Sequence, residues 1–206
     1  TLNTKKNKPG FSSDEYQEEK PKTGKAAAQK YFSEEAKAKD GEEKGVGGGE
    51  DHYLSLGLSF YVDSTSYRWG PRKYDDPGEW AFAVSYRMGE WLNSTDLLAR
   101  IEFQQFEIGN DDPKKLSFMP ILIFPDARSN FPIYFGGGAG LGVIFDQVDN
   151  ESSISLDYTL FVGGRLFNIV ENTGFFIESG LKNHFHLFSS GQLNGYFFTL
   201  GTVHTF

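Results

Sequence analysis

Large apolar side chains recur at every second position through most of this chain, and the positions between them carry glycine, serine or a charge. Over 80–89, Trp80, Phe82, Val84, Tyr86 and Met88 oppose Ala81, Ala83, Ser85, Arg87 and Gly89. Over 132–145, Ile133, Phe135, Ala139, Leu141 and Val143 oppose a glycine row at Gly136, Gly138, Gly140 and Gly142. Over 174–187, Phe175, Ile177, Leu181, Phe185 and Leu187 oppose Glu178, Gly180, Lys182, His184 and His186. A period of two marks β-strands. The sense of the alternation restricts the fold further. A water-soluble closed sheet, such as a lipocalin-like barrel, encloses its rings and turns its charges to solvent. Here the face opposite the rings holds Arg87, Arg100, Glu102, Asp157, Arg165, Glu178 and Lys182. Closing such a sheet with the ions at the centre puts the rings in lipid.

Eight such segments are predicted, at 53–62, 80–89, 97–108, 116–124, 132–145, 154–167, 174–187 and 196–206. A soluble sandwich strand is usually about 5–6 residues, whereas a tilted membrane strand needs about 9–11. The expected fold is all-β: an eight-stranded antiparallel transmembrane β-barrel over 52–206. The third segment loses phase near Gln104-Gln105, which predicts a bulge there. An even strand number puts both termini on one side, read as the periplasmic side of a bacterial outer membrane. The short turns Glu90 to Asp96, Pro125 to Phe131 and Asn168 to Thr173 fall on that side. The longest connection, Asp63 to Glu79, then lies outside and offers Arg68, Trp69, Arg72, Lys73 and Tyr74 for surface contact.

Composition agrees. Mean hydropathy is −0.44 and there is no apolar run of 18 residues, which excludes a transmembrane helix but not a barrel. Twenty phenylalanines suit a lipid-facing surface. The absence of cysteine removes disulfides, thiolate chemistry, cysteine-ligated metals and a lipid-anchoring thiol. A net charge of −8 argues against nucleic acid. Residues 1–51 are rich in Lys, Glu, Ala and Gly and read as a disordered or partly helical periplasmic extension. Within it, 24–41 holds good helix formers, a Glu35/Lys39 pair and Gly41 as a stop, and the glycines of 45–49 form a joint. This extension is read either as a solvated spacer or as contacting a periplasmic partner. The start at Thr1 reads as a mature form whose export signal has been removed.

Gly136-Gly137-Gly138-Ala139-Gly140-Leu141-Gly142-Val143, Gly163-Gly164-Arg165-Leu166-Phe167 and the terminal Phe206 together resemble small eight-stranded outer-membrane proteins. The resemblance is to the superfamily of the OmpA transmembrane domain and OmpW-like barrels. It implies outer-membrane lipids as surroundings, and recognition of the last strand by barrel-assembly machinery, with Phe206 as the assembly signal. His204 stands where that superfamily often has Tyr, two places before the terminal Phe.

Chemistry is thin. His184 and His186 share one face, but spacing fixes no third metal ligand, so no metal, no cofactor and no catalytic residue is expected. Lipid A 3-O-deacylases carry a His-x-Ser pair on the penultimate strand. Here His186 is followed by Leu187 and Phe188 before Ser189, and both histidines have inward parity. Arg87, Arg100, Glu102, Asp157, Arg165, Glu178, Lys182, His184 and His186 are read as a polar network that pairs and closes a narrow lumen. The expected role is a non-enzymatic structural or surface-contact protein of the outer membrane. The alternatives are a barrel that binds or passes a small solute or hydrophobic molecule, and a lipid A-modifying enzyme.

Overall fold

Backbone hydrogen bonds join the first strand to the last. A computed structural model describes residues 52–129 and 131–206. Its barrel strands are β1 (Tyr53–Tyr67), β2 (Gly78–Glu90), β3 (Asp96–Phe106), β4 (Lys114–Phe124), β5 (Ile133–Phe145), β6 (Ile154–Val170), β7 (Thr173–His186) and β8 (Gln192–Thr205). Each pairs antiparallel with its neighbour in sequence. The β1–β8 ladder runs from Tyr53↔Thr205 to Tyr67↔Gln192 and leaves no open edge. A two-residue strand, Tyr74–Asp75, folds back onto Thr65 and Ser66. All eight expected strands are therefore present, in a closed antiparallel barrel. The extension over 1–51, with its helix at 24–41, lies outside the described residues.

The alternation is reversed relative to a soluble fold. Phe135, Leu160 and Ile177 on the outer face are 59, 57 and 49% exposed, while Arg87, Lys115 and Asp157 inside are at most 2% exposed. Two apolar clusters bracket the interior. One, at the end of the barrel where Tyr53 pairs with Thr205, includes Tyr53, Leu98, Ile121, Phe161, Phe167 and Val203. The other joins Trp69, Phe106, Ile108, Ile144, Val148 and Leu193 at the opposite end, hereafter the mouth, where connections 68–77, 107–113, 146–153 and 187–191 gather.

Two details differ from expectation. The bulge does not lie in β3, whose Arg100, Glu102, Gln104 and Phe106 all stay buried in unbroken phase. The irregularity is on β2, where Gly78↔Phe106 is followed by Ala81↔Gln104. Phe106 is an inward ring that plugs the mouth, which makes its position look out of phase in the sequence. Secondly, β1 continues to Tyr67 and β8 begins at Gln192, because a register shift between Tyr61 and Asp63 lets the ladder continue toward the mouth.

The glycine row of β5 has a packing cause. A Cβ on Gly140 would overlap the carbonyl oxygen of Phe118 and sit 2.7 Å from the Cα of Met119. A Cβ on Gly136 would collide with the inward ring of Phe161. The row thus lets β5 and β4 approach closely while aromatic rings fill the interior. Gly140→Val should lower stability by ~1–3 kcal/mol, the usual scale of overpacking. Ala139→Val, one residue away on the exposed outer face, should be near neutral. Urea midpoints of vesicle-folded protein, followed by tryptophan fluorescence, compare the two.

Candidate functional site

Strand parity sends charged side chains inward, and burial obliges them to pair, because an isolated ion away from water is costly. At the end of the barrel that holds Tyr53 and Thr205, Arg87 Nε donates to Asp96 Oδ1 at 2.8 Å, and Nη2 forms an ion pair with the same oxygen at 2.6 Å. The other oxygen of Asp96 accepts from the backbone N–H of Ala127 at 2.7 Å, which ties the turn after β4 into the barrel. Arg165 donates to Tyr53 Oη at 3.1 Å and to the carbonyl of Pro125 at 3.0 Å, with the ring of Tyr134 5.0 Å from its guanidinium. Toward the centre, Arg100 donates to Glu178 at 2.9 Å and to Ser85 Oγ at 2.8 Å, and Tyr134 Oη donates to the same Glu178 oxygen at 3.0 Å. Lys182 meets Glu102 at 2.9 Å, and Gln104 donates to that carboxylate as well. Nearer the mouth, Lys115 lies 2.9 Å from both Asp157 Oδ2 and His184 Nδ1.

The interior cavity beside Arg100, Tyr134, Arg165 and Glu178 is about 10 Å³, no more than one water needs. The contrast is at the mouth, where an open groove of about 750 Å³ is lined by Tyr67, Arg68, Arg72, Lys73, Glu151 and Gln192. Lys73 is paired with Asp75 at 2.9 Å. Arg68 and Arg72 are exposed, and no hydrogen bond or ion pair engages their guanidinium groups among the described residues. Glu151 is held by Ser189 Oγ at 2.5 Å and the backbone N–H of Gly70 at 3.3 Å.

All nine residues read as lumenal from the sequence lie inside and are buried. Of the five read as an external contact set, Arg68, Arg72 and Lys73 are exposed and Tyr74 is half-buried against the mouth cluster. Trp69 is a correction. It is 0% exposed and turned inward, its indole 5.1 Å from Phe106 and 4.9 Å from His184, because the wide mouth needs a large apolar group to exclude water. Phe206 is 62% exposed and stacks near His52 and Tyr86 on the outer side of the closing seam. The sequence reading missed Asp96, Lys115, Tyr53 and Tyr134. Parity would have found two of them: counting back by twos from Arg100 reaches Asp96, and from Ser117 reaches Lys115. His184 and His186 face the interior, and Ser189 bonds a carboxylate rather than an imidazole.

No protein-family model matches the chain, and no curated protein matches it. Among solved structures it is similar to the Neisserial surface protein A, NspA, at 13% identity and a TM-score of 0.49, covering 77% of this chain and 99% of that one. It is also similar to Ail, the attachment invasion locus protein of Yersinia pestis, at 19% identity and a TM-score of 0.44, with the same coverage.

Two outcomes follow from the pairing. Glu178→Gln strands the guanidinium of Arg100 and should cost roughly 3–5 kcal/mol, whereas the double change of Arg100 and Glu178 to Met should recover most of that loss. Urea unfolding in vesicles measures both. In the turn after β4, burial raises the pKa of Asp126, with the Asp96 and Glu90 carboxylates adding to it, against the Ser129 N–H and Arg87. The folded form therefore holds this proton more tightly than the unfolded chain. That stabilisation is complete below the unfolded carboxyl value and is lost as pH rises through the folded one. Asp126→Asn should accordingly gain stability relative to wild type as pH rises above the ordinary Asp value of about 3.9.

Proposed function

We propose that this barrel spans the bacterial outer membrane with both chain ends on the periplasmic side, and that it acts by contact at its outer mouth rather than by passage through its interior. The membrane reading is supported by the outward apolar belt, which would be a severe aggregation liability in water, and by strands of 11–17 residues. The orientation is supported by loop length, since the longer connection from β1 to β2 belongs on the outside of such barrels. Phe206, at the open end of the last strand, is read as the signal met by the assembly machinery.

The observation that carries the contact role is the contrast between the two spaces. The interior holds ion pairs, and the cavity beside Arg100 and Glu178 has about 10 Å³ of room, while the mouth offers about 750 Å³ with the guanidinium groups of Arg68 and Arg72 unengaged among the described residues. Guanidinium forks fit carboxylate, sulfate and phosphate groups bidentately, so an anionic surface is the partner this groove suits. The interior then serves stability. A non-enzymatic role is supported by the inward histidines and by Ser189 bonding Glu151.

Planar-bilayer recording should give no stable single-channel current; a steady conductance would defeat the sealed interior. Vesicles carrying the protein should adhere to dextran sulfate beads more than to neutral dextran beads. Changing Arg68 and Arg72 together to Ala should remove that difference, with folding unaffected on heat-modifiable gel mobility.

A further inference from the structure

The side chains that close the mouth include both buried histidines. Parity on β7 sends His184 and His186 inward two residues apart, and the connection after β1 brings Trp69 down onto them, ring centroids 4.9 and 5.2 Å away. The indole N–H donates to Gln147 Oε1 at 2.8 Å. Gly70, next in the chain, donates to Glu151, so the same short segment both caps the barrel and lines the groove.

The proton on His184 is located by its neighbour. Lys115 Nζ lies 2.9 Å from His184 Nδ1, and an ammonium can only donate. Nδ1 therefore accepts, and the neutral ring carries its proton on Nε2, an atom without a hydrogen-bond partner among the described residues. A second proton has to enter at Nδ1, against the ammonium.

The charged and titratable groups around it do not accommodate that proton. On β4 stands Lys115; on β6, Asp157, which Lys115 already occupies at 2.9 Å and to which Ser155 donates at 2.6 Å. On β7 stands His186, and behind it Glu151 from the β5–β6 connection, 3.9 Å from His186 Nδ1. Trp69 and Phe106 present only rings. Protonated His186 would have Glu151 as a partner. Protonated His184 would compete with Lys115 for Asp157.

We infer that the Trp69 segment is a pH-operated lid, seated at neutral pH on uncharged His184 and released in acid when that imidazole takes its second proton. Release withdraws Gly70 from Glu151 and dismantles the arginine groove, so acid detaches the partner. The switching of the groove rests on the contact role proposed above; the lid itself does not. An unconstrained imidazole takes its proton near pH 6.5. Lys115 stays beside His184 when the lid lifts, so its proton enters further into acid; from there the ratio of closed to open lid should fall about tenfold per pH unit, for one proton bound only when open.

The test uses the full chain folded in vesicles, with Trp80 and Trp91 changed to Phe so that Trp69 is the remaining tryptophan of three. Iodide quenching of Trp69 should be negligible at pH 8 and rise reversibly toward pH 5, with a red-shifted emission. His184→Asn, which cannot charge, should keep Trp69 protected throughout. Should that variant fail to fold on heat-modifiable gels, Lys115→Met serves instead: it frees Asp157 for the imidazolium and should hold the lid shut in acid. Trp69 that stays protected at pH 5, or that opens equally in both variants, overturns the lid. Dextran sulfate adhesion measured in parallel separates the two readings. Acid exposure of Trp69 with no adhesion at any pH supports the lid and defeats the groove. Adhesion that persists while Trp69 is exposed overturns their coupling.

Discussion

Everything in this molecule depends on burying ions where a soluble protein buries hydrocarbon. Once the rings face outward, the sheet must hide five cations and four carboxylates in a space an eight-stranded barrel barely supplies, namely Arg87, Arg100, Lys115, Arg165 and Lys182 with Asp96, Glu102, Asp157 and Glu178. Three carboxylates, Glu102, Asp157 and Glu178, meet one cation each in salt bridges. Arg87 pairs with Asp96. The remaining cation, Arg165, is spread over a carbonyl, a phenol and aromatic faces, with Asp96 3.9 Å away. Three of these pairs join strands that are not ladder neighbours, β3 to β7 twice and β4 to β6 once.

The same constraint explains the glycines. Long side chains such as Arg100 and Lys182 need length across the lumen, and inward rings such as Phe161 and Phe197 lie against them, 5.1 and 4.4 Å from the charged groups. Room for both comes from strands that carry no side chain on that face. β5 contributes structure by what it lacks.

Much of this could be read before any coordinates. The reversed alternation in 80–89 and 174–187 announced the barrel, because a period of two with charges opposite rings has few other physical solutions. Its weak points were the ends of strands. Lys115 sat just outside a predicted segment and Asp96 at a turn, so two of the four carboxylate–cation pairs were invisible although parity places both residues inward. Trp69 and Phe106 misled for one reason: a large apolar group can face the interior when it stops an open end, and local sequence does not say where a barrel needs stopping. The approach of Trp69 to His184 and His186 joins segments far apart in the chain, and no spacing rule encodes it.

The seam between β1 and β8 has a consequence for how the molecule comes into being. Every other ladder links strands adjacent in the chain and can zip from its own turn, but this one must wait until the first and last strands of the barrel find each other. Loop closure over such a span is slow relative to hairpin formation. Until it happens, two raw strand edges stand open, and the carboxylates assigned to partners across the ring have nothing to meet. Sealing should therefore be the last and most cooperative event of assembly, the step at which an assisting catalyst has most to offer.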